Sequence, residues 1–408
     1  MNLIPHIFKD INAALDYIIC EEDDALRKDE NRTNQPIVFG CNPENPQVCY
    51  FNNFPTDAFI VNRLYSGRFN FKPNLRHRKF LFRGQNSLFN PCLPNLYRDR
   101  DKNYFIDDMI NGQELMLLML SHPLVQLLDL GVIIGGQKYV FEMNLYGLTQ
   151  HYYNKTSFLD LTSDENVAAF FAVTKYDSNS DTYSPIEDET QEGVLYYYEM
   201  DTMNNFSPFN FSFNTKLSTI GLQVFPRSGN QRGFLLELDR GINFNELPIV
   251  KIVKFKHNKE LSNYYFNLYN KGKSLFPEDI LTKHWSKYHQ EKVVSNKSFE
   301  LNVMFNPNKT RGILLDELSQ NGITLQNYIP EFTKEELHEY YMDIKNGWWE
   351  EFCKNIYFQG KNGNQLKLEF VNIRNHDDYS WAFEENKSYC IKYDKGFLLK
   401  EYKKCLMD

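Results

Sequence analysis

Long apolar runs are missing from this 408-residue chain. No window approaches about 18 uninterrupted apolar residues, so no membrane span is expected. The start, Met1 to Asp10, lacks a basic stretch followed by an apolar core, so no secretory leader is read there. Cysteine is sparse: Cys20, Cys41, Cys49, Cys92, Cys353, Cys390 and Cys405 are odd in number and scattered. No pair has zinc-ligand spacing and no disulfide framework is legible. The expectation is a cytoplasmic, reduced protein without membrane or metal partners. Positive charge is also in deficit, with 45 Lys and Arg against 53 Asp and Glu and a net charge of −8. That excludes a general affinity for nucleic acid, which needs cations to displace counterions. It leaves room for a local basic groove. Lys72, Arg76, Arg78, Lys79 and Arg83, followed by Arg98 and Arg100, form a run that is either a solvated face or a receiver of phosphates. Gly-x-Ser-x-Gly elbows and Walker-type loops are absent, and His284 and His289 lack the i, i+4 spacing of a helical zinc pair.

Aromatic residues are abundant, with 26 Tyr and 33 Phe making most of the 15% aromatic fraction. Each buries a large area, and exposed ones stack on rings or sugars. An aromatic-rich core is the simpler reading.

Asp10 is a good N-cap for a helix through Ile11, Ala14, Leu15, Ile18 and Ile19 at helical spacing. Irregular structure is expected up to about Phe54. Lys79 to Phe82 reads as a short strand closed by a turn at Gly84. Phe105 to Leu130 has the longest helical pattern, interrupted at Pro123. Tyr139 to Tyr153 reads as a helix that delivers Gln150 and His151. Thr162 and Glu165 form a capping box for the next helix, whose buried stripe is Val167, Phe170 and Phe171. From Gly193 the period changes. Val194–Glu199, Ile220–Phe225, Gly233–Leu238 and Ile249–Phe255 read as strands. The acidic segment Asp177 to Glu192 looks like a mobile loop. Helices are expected at Lys259–Tyr269, Pro277–Lys292, Thr310–Gln320 (stopped by Asn321-Gly322) and Thr333–Ile344. The last 60 or so residues, with Trp348, Trp349 and Trp381, mix helix and strand. Helices, then strands, then helices argue for an α+β fold rather than a doubly wound sheet.

Leu148 to Ala172 is the densest polar stretch inside an apolar frame, with Gln150, His151, Thr156, Asp160 and Thr162 in close succession. Here family motifs are legible. Leu81-Phe82-Arg83-Gly84-Gln85, followed by Leu93-Pro94-Asn95-Leu96-Tyr97-Arg98, resembles the opening of the FRG domain, named for its Phe-Arg-Gly signature. Gln150-His151-Tyr152, Thr156, Leu159-Asp160, Thr162 and Ala168–Ala172 resemble its second block, usually Gln-His-Tyr-Gly-Leu-Pro-Thr-Arg-Leu-Leu-Asp-Trp-Thr and an Ala-rich aromatic helix. Arg227 with Gln231-Arg232-Gly233-Phe234 looks like the third block. Leu315 to Thr324 with Ile329-Pro330 is similar to the closing helix and its Gly-Ile-Thr and Phe-Pro elements. Tyr153, Asn154 and Lys155 stand where the family has Gly-Leu-Pro, Ser157 for the usual Arg, and Leu161 for Trp. A contact made by that Arg does not carry over. The resemblance spans residues 76–345, between an N-terminal helix and irregular extension at 1–75 and a C-terminal α+β extension at 346–408.

The family's motif layout is similar to that of ADP-ribosyltransferase folds, with an Arg or His on one strand, a Thr/Ser block on a second and a Glu or Gln on a later one. The resemblance thus implies a helical N-terminal half packed on a mixed or antiparallel sheet resembling an ADP-ribosyltransferase-like core, with extra C-terminal helices and strands. It implies an NAD-utilising ADP-ribosyltransferase or NAD glycohydrolase-like intracellular bacterial effector, of defence or toxin type. NAD would be the nucleotide substrate, and a protein or nucleic acid the acceptor. The alternative is a non-catalytic module that binds a nucleotide or a nucleic-acid end.

Cleaving a nicotinamide–ribose bond passes through an oxocarbenium-like state, as in glycoside hydrolysis. Arg83 suits the pyrophosphate, with Gly84 allowing close backbone approach, or it is a structural Arg paired with Asp160. Gln85, Gln150 and Thr156 are candidate hydrogen-bonding partners of the ligand. His151 is either a ribose ligand and proton carrier or a satisfied structural histidine. Asp160, between Leu159 and Leu161, is expected in a low-dielectric setting as a tether for Arg83 or backbone amides. Gln231 stands nearest the anomeric carbon in the family pattern, where a carboxylate would serve better. Glu237 is on the same face but about 20 Å along the strand.

Overall fold

Along Glu192–Glu199, Val194, Tyr196 and Tyr198 enter one apolar cluster while Leu195 and Tyr197 enter another, and both clusters are buried. A strand with two buried faces belongs at the centre of a sheet covered on both sides. The computed structural model describes residues 3–28, 78–98, 106–122, 142–152, 154–200, 215–220, 225–284 and 292–337, with short pieces at 48–49, 59–63, 68–73, 125, 132–134, 137–140 and 369–370.

The seven strands of the large sheet are β1 (Leu3–Phe8), β2 (Phe80–Gln85), β3 (Phe158–Thr162), β4 (Glu192–Glu199), β5 (Thr215–Thr219), β6 (Gly233–Leu238) and β7 (Val250–Lys256). Their order is β1-β7-β4-β2-β3-β6-β5. The β1–β7 pair is parallel and the other pairs are antiparallel, so the sheet is mixed and the fold is α+β. One residue-level feature of this order governs the site. β2 and β3 share a single paired position, Phe82 opposite Thr162, and diverge on either side of it.

One face of the sheet carries Phe80, Phe82, Leu195, Tyr197, Val253 and Phe255 against α1 (Ile11–Lys28), α4 (Glu165–Val173) and α6 (Lys259–Leu268). The cap expected for α1 is present, with Asp10 Oδ1 accepting from the Ala13 amide at 2.8 Å. Residues 3–28 therefore supply the edge strand and one covering helix of this same sheet. The buried Glu22 of α1 accepts from the Lys79 and Phe80 amides at 2.6 and 2.9 Å and pairs with Arg78 at 3.0 Å, clamping the helix to the start of β2. The other face carries Leu81, Leu159, Leu161, Tyr196, Tyr198 and Phe234. Beside the sheet, α2 (Ile106–Ser121), α7 (Asn296–Phe305) and α8 (Arg311–Gln320) share a separate apolar cluster. There the buried Glu114 of α2 accepts from the Ser295 amide and hydroxyl, Ser298 and Tyr328.

Several local expectations need correction. Gly84 does not turn the chain; it lies inside β2, where a Cβ would sit 1.8 Å from the Ala168 carbonyl oxygen of α4. Glycine is required there because helix and strand touch backbone to backbone. The helix expected over Tyr139–Tyr153 is only α3 (Leu145–Gln150), because the Asn144 side chain caps it through the Gly147 amide, while Gln137–Tyr139 is a strand. The long pattern from Phe105 gives α2, which ends at Ser121 ahead of the expected interruption at Pro123, and residues 126–131 lie outside the described residues. The acidic segment is not a plain loop: Thr174–Asp177 and Thr182–Pro185 pair as a hairpin. β5 precedes the strand expected at Ile220–Phe225, whose residues 221–224 lie outside the described residues. The readings at 285–291, 338–344 and across nearly all of the last 60 residues also fall outside them. Among the described residues, no helix is long and apolar enough to cross a membrane.

Candidate functional site

The divergence of β2 from β3 leaves strand-edge groups without ladder partners. Arg83 spans that gap: its Nη1 donates to the main-chain carbonyl of Asp160 at 2.7 Å. The expected tether is thus formed by the backbone of Asp160 and not by its carboxylate. Nor is the carboxylate deeply buried, because its side chain is 45% exposed. One oxygen, Oδ1, points inward without a hydrogen-bond partner, and so does Arg83 Nε. Flanking leucines do not bury a strand residue whose side chain leaves the sheet at a gap.

His151 follows the end of α3, and its side chain is 2% exposed. Its Nδ1 lies 3.2 Å from Gln231 Oε1, and its Nε2 lies 3.9 Å from Asp160 Oδ1. The Nε2 has no hydrogen-bond partner. Burial pushes the histidine pKa below its ordinary value, against the opposing pull of Asp160. Gly233, the first residue of β6, leaves the room the imidazole occupies, since a Cβ there would approach its Cε1 to 3.2 Å.

Gln231 is fully engaged. It donates from Nε2 to the Leu275 carbonyl at 3.0 Å, and its own carbonyl accepts from Thr162 Oγ1 at 2.8 Å. Thr162 also accepts from the Asp164 amide, but it is not the helix cap. The N-cap of α4 is Asp164, whose carboxylate accepts from the Asn166 amide. Strand pairing with Phe82 holds Thr162 in β3, so the helix begins two residues later than the capping-box pattern suggests. Of the expected buried stripe, Val167 and Phe170 are buried and Phe171 is partly so.

Gln150 and Thr156 meet each other, the hydroxyl donating to Gln150 Oε1, and they fasten the turn that carries His151. The Leu93–Arg98 motif docks on that turn: Asn95 Oδ1 accepts from the Thr156 amide at 2.9 Å. Asn154, where the family has Leu, is buried against Gly112 of α2 and donates to Thr149. Beneath the turn lies Arg227, in α5 (Pro226–Asn230), buried at 2% exposure. It donates to the carbonyls of His151 and Pro277 and to Thr282 Oγ1, and its guanidinium stacks 5.0 Å over the Tyr152 ring. Arg227 therefore serves to hold the His151 turn in place.

A cavity of about 280 Å³ is lined by Gln85, Phe89, Pro91, Cys92, Leu93 and Arg98. Gln85 contributes to its wall, but its amide already contacts Cys92 Sγ and accepts from the Tyr196 hydroxyl at 2.8 Å. Arg98, a member of the basic run read as a possible receiver of phosphates, lines the same cavity. Although the residue as a whole is exposed, desolvation of its guanidinium first, and then the nearby Arg83, hold its pKa below the ordinary arginine value, while Asp160 pulls the other way. Neither Arg83 nor Arg98 forms an ion pair with a carboxylate among the described residues. Its position closing the Leu93–Arg98 motif, within the basic run, was the available signal. Two adjacent guanidinium groups without carboxylate partners favour an anion with several oxygens, such as a phosphate. Among the described residues, no group of three or more His, Cys, Asp or Glu side chains could hold a metal ion.

No curated protein and no solved structure matches the chain. The family model of the FRG domain matches residues 78–181, which take in β2, the Leu93–Arg98 motif, the His151 turn, β3 and α4. The third and fourth blocks lie beyond the matched residues. The match covers the Arg83, His151 and Asp160 corner of the site, and the chain is an FRG domain-containing protein.

Proposed function

We propose that the gap between β2 and β3 is a nucleotide site, and that the protein is an NAD-utilising enzyme of ADP-ribosyltransferase or NAD glycohydrolase type. On this reading, Arg83 and Arg98 hold the pyrophosphate and His151 and Asp160 face the nicotinamide ribose. Gly84 permits the close packing on which the Arg83 position depends. The observation that carries the reading is the gathering of unpartnered polar atoms, Arg83 Nε, His151 Nε2 and Asp160 Oδ1, where β2 and β3 share a single paired position. Buried donors and acceptors are rarely left unpaired unless a ligand or water completes them. The strand order adds support. The Arg strand β2, the Thr162 strand β3 and the strand β6 that follows Gln231 are consecutive neighbours, an order compatible with the ADP-ribosyltransferase motif layout. An intracellular bacterial effector of defence or toxin type, acting on a protein or nucleic-acid acceptor, is the biological setting we infer for such an activity.

A second reading rests on Gln231. Its amide is occupied at both ends, so it cannot oppose an oxocarbenium charge, which favours a non-catalytic module that binds a nucleotide or a nucleic-acid end. Incubation of the purified full chain with NAD separates the two. The enzyme reading expects free nicotinamide, reduced about 10²-fold by Arg83→Ala, as for loss of one preorganised donor. Tight nucleotide binding without nicotinamide release would select the binding module.

A further inference from the structure

The proposed chemistry needs a negative group near C1′ of the ribose, and the position the family pattern offers holds Gln231. The hydrogen bonds around that glutamine decide what it does instead. Its amide orientation is fixed, because the nitrogen must face the Leu275 carbonyl, which only accepts. Its oxygen therefore faces His151 Nδ1, which must carry the proton and donate. A neutral ring protonated on Nδ1 leaves Nε2 as a bare acceptor, and that atom is aimed at Asp160 Oδ1, 3.9 Å away. Neither atom has a partner. Two acceptors facing one another at that separation repel unless donors lie between or beside them. A vicinal diol, which offers two hydroxyl protons on adjacent carbons, satisfies both. Asp160 Oδ2 remains on the solvent side, where a ligand can reach the carboxylate, as the 45% exposure of this side chain requires.

We propose that Asp160 and His151 together receive the hydroxyls of the ribose and supply the missing carboxylate and base, and that Gln231 is a positioning residue that fixes the tautomer of His151. This rests on the nucleotide reading above. In the step, the C1′–N bond breaks and its electron pair leaves with nicotinamide, which departs neutral. The Asp160 carboxylate opposes the positive charge left on the ribose. Water or an acceptor hydroxyl forms the new bond to C1′, and its proton passes to the solvent-side Oδ2 of Asp160, because the single lone pair of His151 Nε2 already accepts a ribose hydroxyl. His151→Gln and Asp160→Asn are thus changes in the reacting groups, whereas Gln231→Leu acts through the histidine.

Three measurements on the full chain test this: NAD cleavage, binding of inorganic pyrophosphate, and ¹⁵N NMR of the histidine ring nitrogens, with the His151 signals identified by their loss in His151→Gln. Asp160→Asn should cleave NAD about 10²-fold more slowly. It should bind pyrophosphate at least as tightly as the wild type, because a negative charge beside Arg83 and Arg98 has been removed. A merely structural Asp160 would weaken both. His151 should show a protonated Nδ1 and a bare Nε2 at neutral pH, and Gln231→Leu should shift that tautomer and lower the rate. Wild-type cleavage by Asp160→Asn, or a proton on Nε2 of the wild type, overturns the proposal and leaves the nucleotide reading intact. A wild-type chain that binds pyrophosphate but neither binds nor cleaves NAD overturns the nucleotide reading, and this proposal with it.

Discussion

At the scale of single residues, the site depends on which atoms already have partners. Arg83, His151, Asp160 and Gln231 were all identifiable from the motifs, and they do gather in one place. Their individual roles were not legible, because a sequence does not reveal which end of an amide is occupied. Gln85 and Gln231 look alike as candidates, yet both spend their amides on protein groups. Asp160 looked buried from its leucine neighbours, and only the divergence of β2 and β3 explains its exposed carboxylate. Gly84 reads as a turn for a comparable reason, since sequence shows the glycine but not the helix lying against it. Gly84→Ala tests that contact. With the Ala168 carbonyl 1.8 Å from the new Cβ, β2 and α4 must separate, at a cost of about 3 kcal/mol or more. A shift in the chemical denaturation midpoint worth less than about 1 kcal/mol would show that the helix and strand are not so close.

At the scale of elements, hydrophobic period located the strands near Val194, Gly233 and Ile249 but not β5, and the end signals located α1 and α8. Asp10 and Thr310 both accept from amides of their own first turns. Period failed where tertiary contacts intervene. α3 is six residues long because its neighbours hold the chain on either side: Asn144 caps its start, and Arg227 grips the His151 carbonyl at its end. That second contact links stability to function through one element. Arg227→Met keeps an apolar stem but removes three charged hydrogen bonds, and it should destabilise the protein by roughly 3 kcal/mol. It should also broaden or shift the His151 ring signals, since the carbonyl anchoring that turn loses its donor. Unchanged His151 signals in a folded Arg227→Met protein would show that the turn is held by other contacts.

At the scale of the whole molecule, the α+β class and its mixed sheet follow from the order of patterns, but the strand order does not. Nothing local in Leu3–Phe8 says that it pairs in parallel with Val250–Lys256, more than half the chain away. The acid response is likewise a property of the packed whole. Burial pushes the His122 pKa down from 6.5 to about 3, between the rings of Phe225 and Phe332. The folded protein therefore resists a proton that the unfolded chain accepts. This contribution to stability is fully present above pH 6.5 and is lost as pH falls toward 3, at about 1.4 kcal/mol per pH unit. His151 and His257, also depressed by burial, act in the same direction. Denaturation of the wild type and His122→Phe between those limits should give a shallower loss for the variant, and parallel curves would contradict the assignment.

The central claim is that the opening between β2 and β3 is built for a nucleotide whose glycosidic bond is broken there. Its most direct test is the rate of nicotinamide release from NAD by the full chain, compared with Arg83→Ala and Asp160→Asn. The account predicts turnover by the wild type and a loss of about 10²-fold in each variant. Release at the same rate in all three proteins, or no release by the wild type, would contradict it.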